Sequence, residues 1–118
     1  MSKVAIVLLA DTGSFEGLGR AANALEAVKE FSDGGDTVQL ILDGAGTKWA
    51  AELENPEHRI HGLYRAVKGK LAGACGYCAG AFGVAADLER AEVRLLAEYD
   101  GHPSYRKLVS DGFQVITF

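Results

Sequence analysis

Two cysteines three residues apart are the side chains of this sequence best suited to chemistry. Cys75 and Cys78 lie in GACGYCAGAFG, residues 73 to 83, among residues with almost no side-chain bulk. Thiols at this spacing are typical of a redox dithiol, of half a metal site, or of a nucleophile with a resolving thiol. Free cysteines also serve as small core residues, so packing is the structural alternative. The surrounding elements must decide among these possibilities.

Composition predicts an ordinary globular domain and argues against several partners. Of 118 residues, 48% are hydrophobic and 24% charged, which suffices for one domain with a real core. The net charge of −4 comes without a basic block, so nucleic acid is not expected to bind. No apolar run approaches the about 18 residues of a membrane span, and no signal-peptide cleavage site follows the start. We expect a cytoplasmic protein with reduced thiols, where paired cysteines indicate catalysis or metal binding more than a structural bridge.

Short apolar runs alternate with helical periodicity along the whole chain. The predicted strands are KVAIVLLA (3 to 10), TVQLILD (37 to 43), KLAGAC (70 to 75), EVRLLAEY (92 to 99) and FQVITF (113 to 118). Helices are predicted over 15 to 31, in NPEHRIHGLYRAVKG with Pro56 in its first turn, in AGAFGVAADLE, and in PSYRKLVSD, which Pro103 opens.

Strands separated by helices require right-handed crossovers and therefore a parallel sheet. The sequence predicts one α/β domain over residues 1 to 118, with three layers, about five mostly parallel strands and helices on both faces, in a Rossmann- or flavodoxin-like topology.

Open parallel sheets bind ligands outside the carboxyl ends of their strands. Three loops are predicted there: DTGSFEG, DGAGTKW and CGYCAG. Cys75 is expected to end the third strand and Cys78 to lie in the first turn of the next helix, where free N–H groups stabilise a thiolate. No charged side chain lies between Lys70 and Asp87, so activation must come from the backbone or from another loop.

The first two loops predict a ligand pocket beside the cysteine turn. Its residues would be Asp11, Thr12, Gly44, Gly46, Lys48, Trp49 and Gly76. Gly44 and Gly46 would leave N–H groups open, and Lys48 and Trp49 would add a cation and an aromatic wall for an anion or a sulfur-bearing substrate. The alternative is a glycine turn in which Trp49 covers the core.

Cofactor and metal sites are not predicted. GLGRAA (17 to 22) matches G-x-G-x-x-A, but its glycines come too late after the first strand for a dinucleotide site. His58 and His61 could join Cys75 and Cys78 around zinc, yet nothing requires their helix to meet the cysteine turn. A thioredoxin-type dithiol would need an earlier motif and a cis-proline beside it.

With the cysteine turn placed after the third strand, nearly the whole chain resembles the DsrE/DsrF-like family of small α/β sulfur-relay proteins. The resemblance rests on GLGRAANALEA, DGAG, GACGYCAGAFGV and VRLLAEYDGHPSYRKLVSDGFQVITF. It implies a sulfurtransferase-like carrier that holds sulfur as a persulfide on Cys75, in a dimer, trimer or hexamer. Cys78 is additional to that pattern and would act as a resolving thiol.

Three functional hypotheses follow. The leading one is a cytosolic persulfide carrier that exchanges sulfur with donor and acceptor proteins or with small sulfur species. The second is a thiol-disulfide or redox-sensing protein that uses both cysteines. The third is a non-catalytic oligomeric binding module, whose small-residue surface around Gly80 and Ala81 would meet another subunit.

Overall fold

Five strands form one parallel sheet in the computed structural model, which describes residues 1–118. They are β1 Lys3–Leu8, β2 Thr37–Leu42, β3 Leu71–Cys75, β4 Leu95–Leu96 and β5 Gln114–Thr117. Their order is β4-β3-β2-β1-β5, and every neighbouring pair is parallel. The predicted three-layer α/β domain with a five-stranded parallel sheet is therefore confirmed, whereas the strand order differs from the Rossmann order 3-2-1-4-5-6 and the flavodoxin order 2-1-3-4-5. β4 is much shorter than predicted because β3 ends at Cys75, so residues 97–99 have no strand to pair with.

Six helices connect the strands. They are α1 Phe15–Asp33, α2 Trp49–Glu54, α3 His61–Val67, α4 Gly76–Ala81, α5 Ala85–Arg90 and α6 Tyr105–Ser110, with 3-10 turns at Gly44–Lys48 and Lys68–Lys70. None of these helices is long and apolar enough to cross a membrane.

Three predicted helix positions are wrong. Pro56 lies in a turn before α3, where the Asn55 side chain accepts the Glu57 N–H and so competes with helix formation. The helix predicted over 79 to 89 is split into α4 and α5 at Gly83, whose φ of +68° is left-handed. Pro103 precedes α6, because Ser104 is the N-cap and its hydroxyl accepts the backbone N–H of the third helical residue.

Right-handed crossovers explain why the two faces of the sheet are covered unequally. The connections from β1 to β2, β3 and β4 each step one strand in the same direction, so α1 to α5 share one face. The connection from β4 to β5 runs back across the sheet and places α6 on the other face. The larger core contains Ile6, Leu25 and Trp49, whereas Val7 and Ile41 belong to the smaller cluster under α6.

The segments that follow the neighbouring strands β3 and β4 leave the sheet toward opposite faces. The chain enters α4 on the α1 side after β3, and it reaches α6 on the other side after β4. Diverging connections of this kind open a crevice outside the carboxyl ends of the two strands, which is the usual ligand position in open α/β sheets. Cys75 ends β3 at this edge of the sheet, where its side chain is fully buried, and the loop formed by residues 97–104 follows β4 beside it.

Candidate active site

The turn from β3 into α4 holds both cysteines. Cys75 is the last residue of β3 and the N-cap of α4, and Cys78 is the third residue of that helix. The backbone N–H of Cys78 donates to Cys75 Sγ at 3.4 Å. Both thiols are free; Cys75 is fully buried and Cys78 is half-buried. The predicted positions of both cysteines are confirmed.

The loop after β4 brings a histidine to Cys75. His102 Nδ1 lies 3.3 Å from Cys75 Sγ. The loop is held in place by paired backbone hydrogen bonds between Tyr99 and His102, and by the Tyr77 N–H, which donates to the Gly101 carbonyl at 2.8 Å. The Tyr77 ring lies against the imidazole, with 4.7 Å between ring centroids. A thiol and an imidazole in contact are the arrangement by which enzymes activate a cysteine.

Asp43 places a buried carboxylate beside Cys78. It follows β2, and its Oδ1 accepts the Gly44 N–H at 2.7 Å and the Cys78 thiol at 3.4 Å. The Tyr105 hydroxyl of α6 donates to Oδ2. Burial alone would raise the pKa of Asp43, but the hydrogen bonds from Tyr105, Gly44 and Cys78 together hold its pKa below the usual value. Asp43 is therefore an anion at neutral pH that links β2, α4 and α6.

The surroundings of Cys75 favour the protonated thiol. The pKa of Cys75 is raised to about 12, and burial is the largest cause. The hydrogen bond from the Cys78 N–H lowers this pKa, whereas the Cys78 side chain and the negative charge of Asp43 raise it further. The expected stabilisation of a thiolate at the start of the helix is therefore outweighed by loss of solvation. Reactivity at neutral pH depends on a group that can take the Cys75 proton, and His102 is in contact with it.

We expect Cys75 to alkylate slowly near neutral pH. In Cys78→Ser, where Cys75 is the remaining thiol, iodoacetamide should react at pH 7 at least about 30-fold more slowly than with the same chain unfolded in urea. The thiolate fraction is lower by the shift in pKa, and higher intrinsic nucleophilicity offsets this only in part. The rate should still be rising above pH 10. Equal rates in the folded and unfolded chain, or a midpoint below pH 9, would contradict this assignment.

The two charged residues of the predicted pocket, Lys48 and Asp11, are paired with each other. Lys48 Nζ forms an ion pair with Asp11 Oδ1 at 2.8 Å and lies over the Phe82 ring at 5.7 Å. The Thr12 N–H donates to the same Asp11 oxygen at 2.7 Å. These residues lie at the predicted sheet edge, but the lysine already has a carboxylate partner.

The second predicted loop packs against the core. Trp49 is buried and its indole N–H donates to the Ala10 carbonyl at 2.8 Å, so the tryptophan covers the core, the second of the two alternatives. The N–H groups of Gly44 and Gly46, predicted to be open, donate to the Asp43 carboxylate and the Asp43 carbonyl. This loop therefore positions Asp43 instead of presenting free N–H groups.

Gly76 lies at the cysteine turn, as predicted, and is closely packed. A Cβ at this position would be 3.4 Å from the Gly101 carbonyl oxygen and 3.4 Å from that of Leu96. These are ordinary van der Waals distances, so a methyl group would fit at this position without displacing the β4 segment or its loop.

The histidines considered for zinc lie elsewhere. The His58 ring packs edge-on against Trp49 with centroids 6.2 Å apart, and His61 Nδ1 is 2.6 Å from the Leu53 carbonyl. The histidine beside the thiols is His102. Sequence reasoning missed His102 and Tyr105, although DGHPSY directly follows the fourth predicted strand and so lies at the same sheet edge as Cys75.

No known family profile matches this chain. An uncharacterized protein of Methanocaldococcus jannaschii is 29% identical over 87 residues, which span 74% of this chain and 70% of that protein. A solved structure of a conserved protein of unknown function from Bacteroides thetaiotaomicron matches with a TM-score of 0.63 and 16% identity, covering 97% of this chain and 94% of the other. The structural match shows the fold. The resemblance to the DsrE/DsrF-like family stays a prediction.

Proposed function

We propose that this protein is a DsrE-like persulfide carrier in which Cys75 accepts a sulfane sulfur and His102 accepts the proton of the Cys75 thiol. The observation that carries the proposal is the 3.3 Å contact between Cys75 Sγ and His102 Nδ1. It joins a nucleophile to a proton acceptor at the carboxyl ends of β3 and β4, the edge at which open α/β sheets bind their ligands.

Loading is an exchange between a thiol and a persulfide, R–S–SH. Cys75 Sγ bonds to the terminal sulfur of the donor while the S–S bond of the donor breaks. The Cys75 proton passes to His102 Nδ1 and then to the leaving R–S⁻, so the products are R–SH and the Cys75 persulfide. No further oxidant or reductant is needed. Because the pKa of Cys75 is about 12, the resting thiol keeps its proton at neutral pH, and His102 acts as a general base that takes the proton only as the new S–S bond forms.

Cys78 provides a second route for release. Its thiol donates to Asp43 Oδ1, so this carboxylate can accept the proton of Cys78. Attack of the Cys78 thiolate on Cys75 Sγ would expel hydrosulfide and leave a Cys75–Cys78 disulfide, which an external dithiol would reduce. Transfer to an acceptor thiol that attacks the terminal sulfur would leave both cysteines reduced.

Mass spectrometry of the intact, reduced chain after incubation with an inorganic polysulfide tests the proposal. We expect Cys78→Ser to gain one sulfur on Cys75, and Cys75→Ser to gain none there. His102→Gln should load roughly 100-fold more slowly, the scale of a lost acid–base group. His61→Gln is a matched control, because its ring lies outside the site. If Cys75→Ser loads as well as the wild type, the proposal is wrong.

A thiol-disulfide function is the second candidate. Two observations favour it. The Sγ atoms of Cys75 and Cys78 lie within 4.8 Å of one another, and Cys78 is partly exposed. This function requires both thiols and no sulfane donor, so oxidation by glutathione disulfide without any sulfur gain would favour it over the carrier.

The proposal includes a cytosolic homo-oligomer, a dimer, trimer or hexamer, that meets sulfur donor and acceptor proteins. Gly80 and Ala81 are exposed beside the site, and a Cβ on Gly80 would meet no atom within 4 Å. This surface permits close approach of another chain. Light scattering measures the oligomeric state directly.

A further inference from the structure

We propose that Cys75, Cys78 and His102 together bind a zinc ion, with one coordination position left open. Each residue offers one ligand atom, and the three atoms lie within 4.8 Å of one another. Two thiolates and one imidazole are a ligand set that zinc accepts in sites with an exchangeable fourth ligand. The proposal concerns metal binding and stands apart from the sulfur-carrier chemistry.

The distances are close to those of a tetrahedral site. Zinc bonds of about 2.3 Å to sulfur and about 2.0 Å to nitrogen imply ligand separations of about 3.8 Å between sulfurs and about 3.6 Å between sulfur and nitrogen. Cys75 Sγ and His102 Nδ1 are 3.3 Å apart. Because no separation in the group exceeds 4.8 Å, the ligand atoms need to approach by about 1 Å at most to close around the ion.

The groups around the ligands suit a cation bound to thiolates. The Cys78 N–H already donates to Cys75 Sγ, which is a common partner of metal-bound sulfur. Asp43 Oδ1 lies 3.4 Å from Cys78 Sγ and is held in place by Gly44 and Tyr105, so a fixed negative charge lies beside the position of the cation. Binding of zinc would form two Zn–S bonds and release both thiol protons to solvent. The ion also supplies the positive charge that these buried sulfurs lack.

The three ligands come from two neighbouring segments that the fold already holds in place. Cys75 and Cys78 are fixed at the start of α4, and the loop that carries His102 is fastened to the same turn through the Tyr77 N–H and the Gly101 carbonyl. Cys78 and His102 are both half-buried, so an ion and a fourth ligand can reach the site from solvent. A water molecule or a small thiol is the expected fourth ligand.

Titration of the reduced full chain with Co²⁺ and then Zn²⁺ tests the site. We expect one Co²⁺ per chain with a sulfur-to-cobalt charge-transfer band, displacement by one equivalent of Zn²⁺, and release of about two protons per ion near neutral pH. His102→Gln should weaken Zn²⁺ binding at least about tenfold. His61→Gln should bind as the wild type does. Absence of the charge-transfer band, or undiminished binding by the double variant Cys75→Ser, Cys78→Ser, would overturn the proposal.

A second measurement uses the unaltered chain and does not depend on the variants folding. One equivalent of Zn²⁺ should protect both cysteines from iodoacetamide, whereas Mg²⁺ should not. If Zn²⁺ leaves the alkylation rates unchanged, the metal site is wrong. Loading with polysulfide is measured with a chelator present, so failure of the metal site and failure of the carrier are separate results.

Discussion

Gly46→Ala is expected to lower the free energy of unfolding by at least about 3 kcal/mol, the largest effect of any conservative change at the site. A Cβ on Gly46 would lie 1.9 Å from the Leu8 carbonyl oxygen and 2.7 Å from the Leu8 carbonyl carbon. Both atoms belong to the backbone of β1, which is buried between its neighbours, so no side-chain rotation can relieve the overlap. The 3-10 turn must shift away from the sheet.

This shift should also reach the thiols. Asp43 immediately precedes the turn and its carbonyl accepts the Gly46 N–H, so displacement of the turn moves the carboxylate that accepts from Cys78. We expect urea unfolding to give the stability loss, and the folded fraction to load sulfur poorly.

Gly19→Ala is the matched control. Gly19 lies on the exposed side of α1, where a Cβ would meet no atom within 4 Å. This variant should gain up to about 1 kcal/mol in unfolding free energy, because alanine favours the helix. A loss below 1 kcal/mol for Gly46→Ala would show that β1 and the turn are not as closely packed as described.

Asp43→Ala has the second largest expected effect, a loss of about 2 to 4 kcal/mol in unfolding free energy. The variant removes the cap of the 3-10 turn and leaves the Tyr105 hydroxyl and the Cys78 thiol without their acceptor. Asp43→Asn keeps an oxygen acceptor of the same shape and should lose less. It also removes a negative charge that raises the pKa of Cys75, so Cys75 should alkylate faster.

Acid pH should reduce the difference in unfolding free energy between the wild type and Asp43→Asn. The pKa of Asp43 is lower in the folded chain than its usual value of 3.8. The unfolded chain therefore binds more protons as pH falls, and the stability that the carboxylate contributes above about pH 4 is lost through and below that range. Urea unfolding at pH 7, 5 and 3 measures the trend. Asp33→Asn is the control, since its ion pair with Lys29 is exposed to solvent and its loss should leave the free energy of unfolding nearly unchanged. If the difference in unfolding free energy between the wild type and Asp43→Asn stays constant down to pH 3, the assignment of Asp43 as an anion in the folded chain is wrong.

Local patterns explain why much of the fold could be predicted. The buried run of β1 and the apolar residues of α1 each favour one backbone conformation, so the strand and helix boundaries were predicted closely. The break at Gly83 was missed because glycine permits a left-handed turn without requiring it. The short β4 was missed because its length depends on where β3 ends, which the β4 sequence does not encode.

By itself, the sequence determined the alternation of strands and helices, and that Cys75 ends a strand one turn before Cys78. The tertiary structure alone decided what surrounds those thiols. His102 is 27 residues from Cys75, and Asp43 is 35 residues from Cys78. They meet because β2 and β4 flank β3 on either side, so the residues that follow these three strands gather at one edge. Sequence periodicity reports local backbone preference, whereas the lateral order of strands depends on how whole crossovers pack.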